Sequence, residues 1–212
     1  MGILSEVVRL GVFFMLLFTS YISYQNIITQ LYEQLEQPIL GKLSIFTIYA
    51  AFLAGGLVAP FLGKRINFKK LFVGSAICYT INFSSGIALH YLGYGTLCIV
   101  VVEVVAVIGG ASASLLWVAQ GAYIHFVCEQ NGEQHRKGYY FGVFYGIFCV
   151  SNITSGLVTT FMLGLFDVLV YFWILVGVGV IATLFCLFCI TDVQKKYADR
   201  ESKAESVVVM ER

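Results

Sequence analysis

One carboxylate, Glu103, stands inside the apolar run GTLCIVVVEVVAVIGGASASLLWVAQGAY, residues 95–123. An ionisable group inside a membrane segment is costly and is kept for a function or for a specific bond. Two chemistries suit it. It could change charge state in proton-coupled transport, or stay a protonated carboxyl that hydrogen-bonds a neighbour. No Lys or Arg lies well inside a span to pair with it, Arg9 being at the very start of one, which favours the second. A further set is Thr19, Ser23, Asn26 and Gln30, which fall within a narrow arc at helical spacing, with Gln25 off the arc. Such a stripe lines a polar cavity or hydrogen-bonds adjacent helices. Together with Glu103 these four residues define a candidate polar cavity.

Nothing else assembles into reactive chemistry. His90 and His125 fall near opposite ends of their segments, and His135 lies in a loop. No Ser–His, Cys–His or paired-carboxylate set converges, so catalysis is not expected. No glycine-rich phosphate loop appears at a strand–helix junction. Six cysteines occur, Cys186-Leu-Phe-Cys189 among them, without a second ligand pair. They read as apolar filler, so neither metal, disulfide nor cofactor is expected, and nucleic acid is not an expected partner.

The elements that position these residues are set by composition. The chain has 212 residues, is 59% hydrophobic and carries 12% charged residues, about half the fraction typical of a soluble domain. In hydrocarbon the backbone must satisfy its own hydrogen bonds, and non-alternating apolar runs of about 20 residues do so as helices. Six runs qualify: 8–31, 43–62, 71–91, 94–127, 139–163 and 169–190. The fold class is therefore an all-α membrane protein. Residues 1–191 form the six-helix domain, and 192–212 a charged, flexible tail.

With six spans both termini share a side. Twelve of the 13 Lys and Arg residues then fall on that side and only Lys42 on the other. The bias predicts that this side faces the cytosol, or equally a mitochondrial matrix. A plasma or endomembrane location is the favoured expectation. Lys64, Arg65, Lys69 and Lys70 sit in the loop after the second span, where they could touch anionic lipid.

Small residues mark where helices approach closely. The second span carries Ala51, Gly55, Ala59 and Gly63, each four apart. The fifth carries Gly138, Gly142 and Gly146, roughly continued by Cys149, Asn152 and Gly156. Each stripe predicts a close neighbour, from this chain or from a partner. In the fourth span Glu103, Gly110, Ser114, Trp117 and Gly121 share a face. The expectation is a packing joint, with Trp117 filling the gap beside the glycines and its indole N–H seeking an acceptor. Gln120 is expected off that face, reaching backbone or headgroup water.

The stretch GASASLLWVAQGAY, residues 110–123, resembles the signature of the Unc-93-like family, approximately GxGAAxLWxxQGxY. Gly110, Ala113, Leu116, Trp117, Gln120, Gly121 and Tyr123 match, whereas Ser112 and Ser114 stand where Gly and Ala are usual. LGVFF at 10–14 with Gln25-Asn26, Ala59-Pro60 at the end of the second helix, and GVFYGIF at 142–148 extend the likeness. The family is a branch of the major facilitator superfamily. The resemblance implies half of that fold, two inverted three-helix repeats, with this chain as the N-terminal half. It also implies that the first and fourth helices line the central cavity and that the second and fifth contact the other half. That places both small-residue stripes against a partner, either a second copy of this chain or another membrane subunit. The loop 63–70 lacks the Asp usual in facilitator transporters, which lowers the odds of conventional alternating access. Members are known for regulating other membrane proteins: the founding one is associated with two-pore potassium channels, and a vertebrate relative escorts Toll-like receptors. The resemblance thus implies a non-enzymatic accessory or regulatory subunit. The alternative is a half-length solute transporter that dimerises to complete a cavity.

Overall fold

The computed structural model describes residues 2–34, 38–63, 65–92 and 95–198. Within them lie six long α-helices, α1 (Ile3–Gln34), α2 (Pro38–Gly63), α3 (Phe68–Leu92), α4 (Thr96–Gln130), α5 (Lys137–Leu165) and α6 (Val168–Cys189), and a short helical segment at 193–198. All six are long and apolar enough to cross a membrane. α4, at 35 residues, is about 50 Å long at 1.5 Å per residue and exceeds a bilayer core. The turn into α5 uses Gly132 at φ +71°, where a side chain would be strained, followed by a 3-10 turn at Gln134–Arg136. α2 does not stop at Pro60 but runs on to Gly63. The carbonyl that loses its donor there is that of Gly56, about two turns before the helix end.

The packing repeats about a pseudo-two-fold axis. α2 packs along α4 and α5 along α1, α3 against α4 and α6 against α1, and α3 against α6. Exchanging α1–α3 with α4–α6 maps each contact onto another. Because each unit has three spans, successive units run in opposite directions, which is an inverted repeat. Single contacts echo this. The Phe172 ring of α6 lies over Gly86 of α3, and the Phe83 ring of α3 lies over Gly179 of α6.

α1, α3 and α4 are about half buried, whereas α2 and α5 are mostly open to the surroundings. The core centres on Phe14, which meets Phe13, Trp117 and Phe144 edge-on at 5.5, 5.3 and 5.0 Å. Each such pair contributes about 0.5–1.5 kcal/mol beyond burial. In lipid, where apolar burial between helices gains little, ring geometry and close approach carry more of the association.

The segment expected to begin a flexible tail at 192 instead packs on the bundle through residue 198. Ile190, Val193 and Tyr197 are buried. Asp192 accepts from the Asn67 amide (2.7 Å), and the Gln194 carbonyl oxygen accepts from the Phe68 N–H (3.1 Å). The expectation of flexibility for 199–212 lies outside the described residues.

Candidate functional site

The polar stripe of α1 divides. Thr19 and Ser23 turn toward α5: the Thr19 and Thr154 hydroxyls are 2.6 Å apart, and Ser23 Oγ donates to the Ser155 carbonyl at 3.2 Å. Tyr171 of α6 donates to the Ser23 carbonyl at 2.7 Å, closing a three-helix joint. These two residues hold helices together. Asn26 and Gln30 are exposed farther along α1. Gln30 lines a cavity of about 360 Å³ that Asp167 also borders.

Glu103 is hydrogen-bonded to a neighbouring helix. Thr47 of α2 donates to its Oε2 at 2.6 Å. Its Oε1 is buried without a partner among the described residues. Glu103, Gly110 and Ser114 all face α2. A Cβ at Gly110 would collide with the Ile48 carbonyl and lie 2.8 Å from the Ala51 Cβ, and one at Gly55 would collide with the Ser114 hydroxyl. Replacing Thr47 with Val is expected to cost about 1–2 kcal/mol, since it leaves a second carboxyl oxygen without a donor. Detergent unfolding followed by circular dichroism measures it, and Thr47→Ser should recover most of the loss.

Trp117 turns away from that face. Its ring lies among Phe14, Phe18 and Phe148, at 5.3, 5.4 and 5.2 Å, and no hydrogen bond satisfies its indole N–H among the described residues. Gln120 corrects the sequence reading. It is 2% exposed, and its amide nitrogen lacks a partner. Helical position alone placed it near water, but α4 extends past it by ten residues to Gln130. Gly121 meets open space, while Tyr123 is buried.

The two small-residue stripes separate. Ala51, Gly55 and Ala59 pack within the chain against α4 or are buried, which corrects the expectation that a partner covers them. A Cβ at Gly63 would meet nothing. On α5, a Cβ at Gly138, Gly142, Gly146 or Gly156 would also meet nothing within 4 Å, and Cys149 and Asn152 beside them are exposed. Of the two stripes, α5 thus keeps an unfilled face at membrane depth.

Two arrangements escaped the sequence. At the end of the bundle where α1 begins and α6 ends, Glu6 is 2% exposed and accepts from Lys196 at 3.0 Å and from the Tyr123 hydroxyl at 3.3 Å. Arg9 reaches the Cys189 carbonyl nearby at 3.3 Å. Arg65 and Lys70 are exposed at this end and Lys69 half-buried, whereas Lys64 lies outside the described residues. At mid-depth, a cavity of about 260 Å³ is walled by Phe18, Tyr21, Tyr49, Tyr79, Trp117 and Phe148, with the Gln25 amide among them. No periodicity pairs residues on five helices, so only their shared depth could have signalled it. Among the described residues no three His, Cys, Asp or Glu side chains cluster as metal ligands.

The chain resembles curated membrane proteins in sequence. It is 32% identical over 158 residues to Protein unc-93 homolog A of Mus musculus, covering 71% of this chain and 32% of that protein. The homolog A of Bos taurus is 29% identical over 170 residues, covering 77% and 35%. UNC93-like protein MFSD11 of Xenopus laevis is 24% identical over 157 residues, covering 73% and 33%. The matched region thus spans about a third of the length of these relatives. No family model matches the chain.

Proposed function

Because the chain belongs to the Unc-93-like family over the residues it shares with these relatives, we propose that it acts as an accessory or regulatory subunit of another membrane protein. It is a multi-pass membrane protein of six helices. In this reading it performs no catalysis itself and works by packing against a partner. The observation that supports it most is the open face of α5. Gly142, Gly146, Gly156 and the exposed amide of Asn152 line it at membrane depth, with Gly138 at the start of the helix. A lipid-facing helix gains nothing from such residues, whereas glycines let a second backbone approach and an amide can hydrogen-bond across it. The basic bias then sets the face with both ends toward the cytosol or matrix, and Arg65, Lys69 and Lys70 toward anionic headgroups.

A half-length transporter that dimerises is the second reading. The mid-depth cavity and the unpartnered Glu103 oxygen favour it. Native mass spectrometry of the tagged protein, purified from its own cells in mild detergent, separates the readings. A stoichiometric complex with another membrane protein is the expected result. A homodimer would transfer support to the transporter, and a monomer alone would remove it from both.

A further inference from the structure

We propose that the mid-depth aromatic cavity binds a small organic ammonium ion. The cavity lies within a few residues of the midpoints of α1, α2, α3, α4 and α5, where a bilayer is driest. Tyrosine is ordinarily placed at the membrane–water boundary, where its hydroxyl finds a partner. Here three tyrosines converge at mid-depth. Tyr79 is 2% exposed and lines the cavity, and its hydroxyl makes no hydrogen bond among the described residues. Gln25 donates its amide nitrogen to the Tyr21 hydroxyl at 2.8 Å, which leaves the Gln25 carbonyl oxygen free to accept.

The electrostatic character follows from the walls. Seven aromatic residues line it, Phe52 included, and their rings, electron-rich on the face and electropositive at the edge, meet at steep angles. Tyr21 and Tyr79 are edge-to-face at 4.8 Å and 89°, and Phe18 and Phe148 at 5.1 Å and 83°. No Lys, Arg or His lines the space. The lining carries no formal charge, and ring faces, phenol oxygens and an amide oxygen are the groups by which such a neutral wall attracts a cation with apolar substituents. An acyl chain would fill the volume but leave the Tyr79 hydroxyl without a partner, at a cost in hydrocarbon. An ammonium N–H or N-methyl group meets it. A lipid headgroup cannot reach this depth.

The test uses the full chain in a maltoside detergent, which contains no competing ammonium. Its two tryptophans serve as reporters: Trp117 lines the cavity, and Trp173 on α6 is 54% exposed. In a Trp173→Phe variant, N-methylquinolinium is expected to quench Trp117 saturably, and tetraethylammonium to reverse the quenching. In Trp117→Phe, quenching of Trp173 is expected to be shallow and linear. Tyr79→Phe keeps the ring and should weaken binding about fivefold. Tyr49→Leu removes a wall that is 59% exposed, so the fold tolerates it, and should weaken binding several-fold. Linear quenching of Trp117 would overturn the proposal. So would displacement by neutral 1-methylnaphthalene as effective as that by the quaternary ion, which would make the site merely apolar.

Discussion

Replacing Lys196 with Met will destabilise the six-helix body by about 3 kcal/mol. Glu6 has almost no contact with solvent, and the Lys196 ammonium at 3.0 Å is the cation that compensates it. Taking away one partner of a buried pair leaves the other charge without compensation, which costs far more than the pair itself contributes. The Lys196 side chain is 23% exposed and Tyr123 still donates to Glu6, so the loss falls at the lower end of the usual range. The double variant Glu6→Gln with Lys196→Met should recover most of it, because neither charge then remains. Unfolding in mixed micelles by circular dichroism, run as a double-mutant cycle, gives the coupling. A loss below about 0.5 kcal/mol would class the pair with surface ion pairs and show that the segment after α6 merely rests on the bundle. A large loss makes that segment the clasp that ties α1, α3 and α4 at this end, with Asn67 and Asp192 as its second fastening. Asn67 is suited to this because its side-chain oxygen also accepts the Lys69 N–H at the start of α3.

The helices themselves were legible because hydrocarbon forbids any other backbone. The runs of about 20 apolar residues located all six, and errors were confined to their ends. α1 begins five residues earlier than apolarity suggested, since Glu6 and Arg9 find partners inside the bundle. The stripes were legible as small residues, but their destination was not. Gly55 and Gly142 look alike in sequence. One lies against Ser114, and the other faces nothing. Which of them is covered depends on the order of helices around the bundle, which no local period encodes. The same holds for the clasp, whose partners lie 190 residues apart, and for the aromatic cavity. The polar stripe of α1 was half legible. Helical spacing found Thr19 and Ser23, yet hydrogen bonding to α5 and lining a cavity leave the same trace in sequence. Only Thr154, Ser155 and Tyr171 decide between them.

That contrast between the two glycines yields the prediction that bears most directly on function. Gly110→Val is expected to cost about 3 kcal/mol in the isolated chain, the upper part of the overpacking range. Its Cβ would meet the backbone of Ile48, which cannot rotate away, and the Cβ of Ala51, so α2 must shift off α4. Gly142→Val on α5 places its side chain in open space. Its effect on the isolated chain should stay within about 0.5 kcal/mol, because surface changes away from packed features rarely exceed that. The order should reverse in the assembly. If a partner helix lies on α5, a valine at Gly142 props the two backbones apart and removes the Asn152 amide from reach. Native mass of Gly142→Val purified from its own cells should then show the complex lost while melting in detergent is unchanged. Gly110→Val should lower the melting temperature and carry the complex down with it. A Gly142→Val protein that keeps both its stability and its partner would show that α5 faces lipid, and would move the search for the interface to the exposed apolar side of α2 at Leu53 and Leu57.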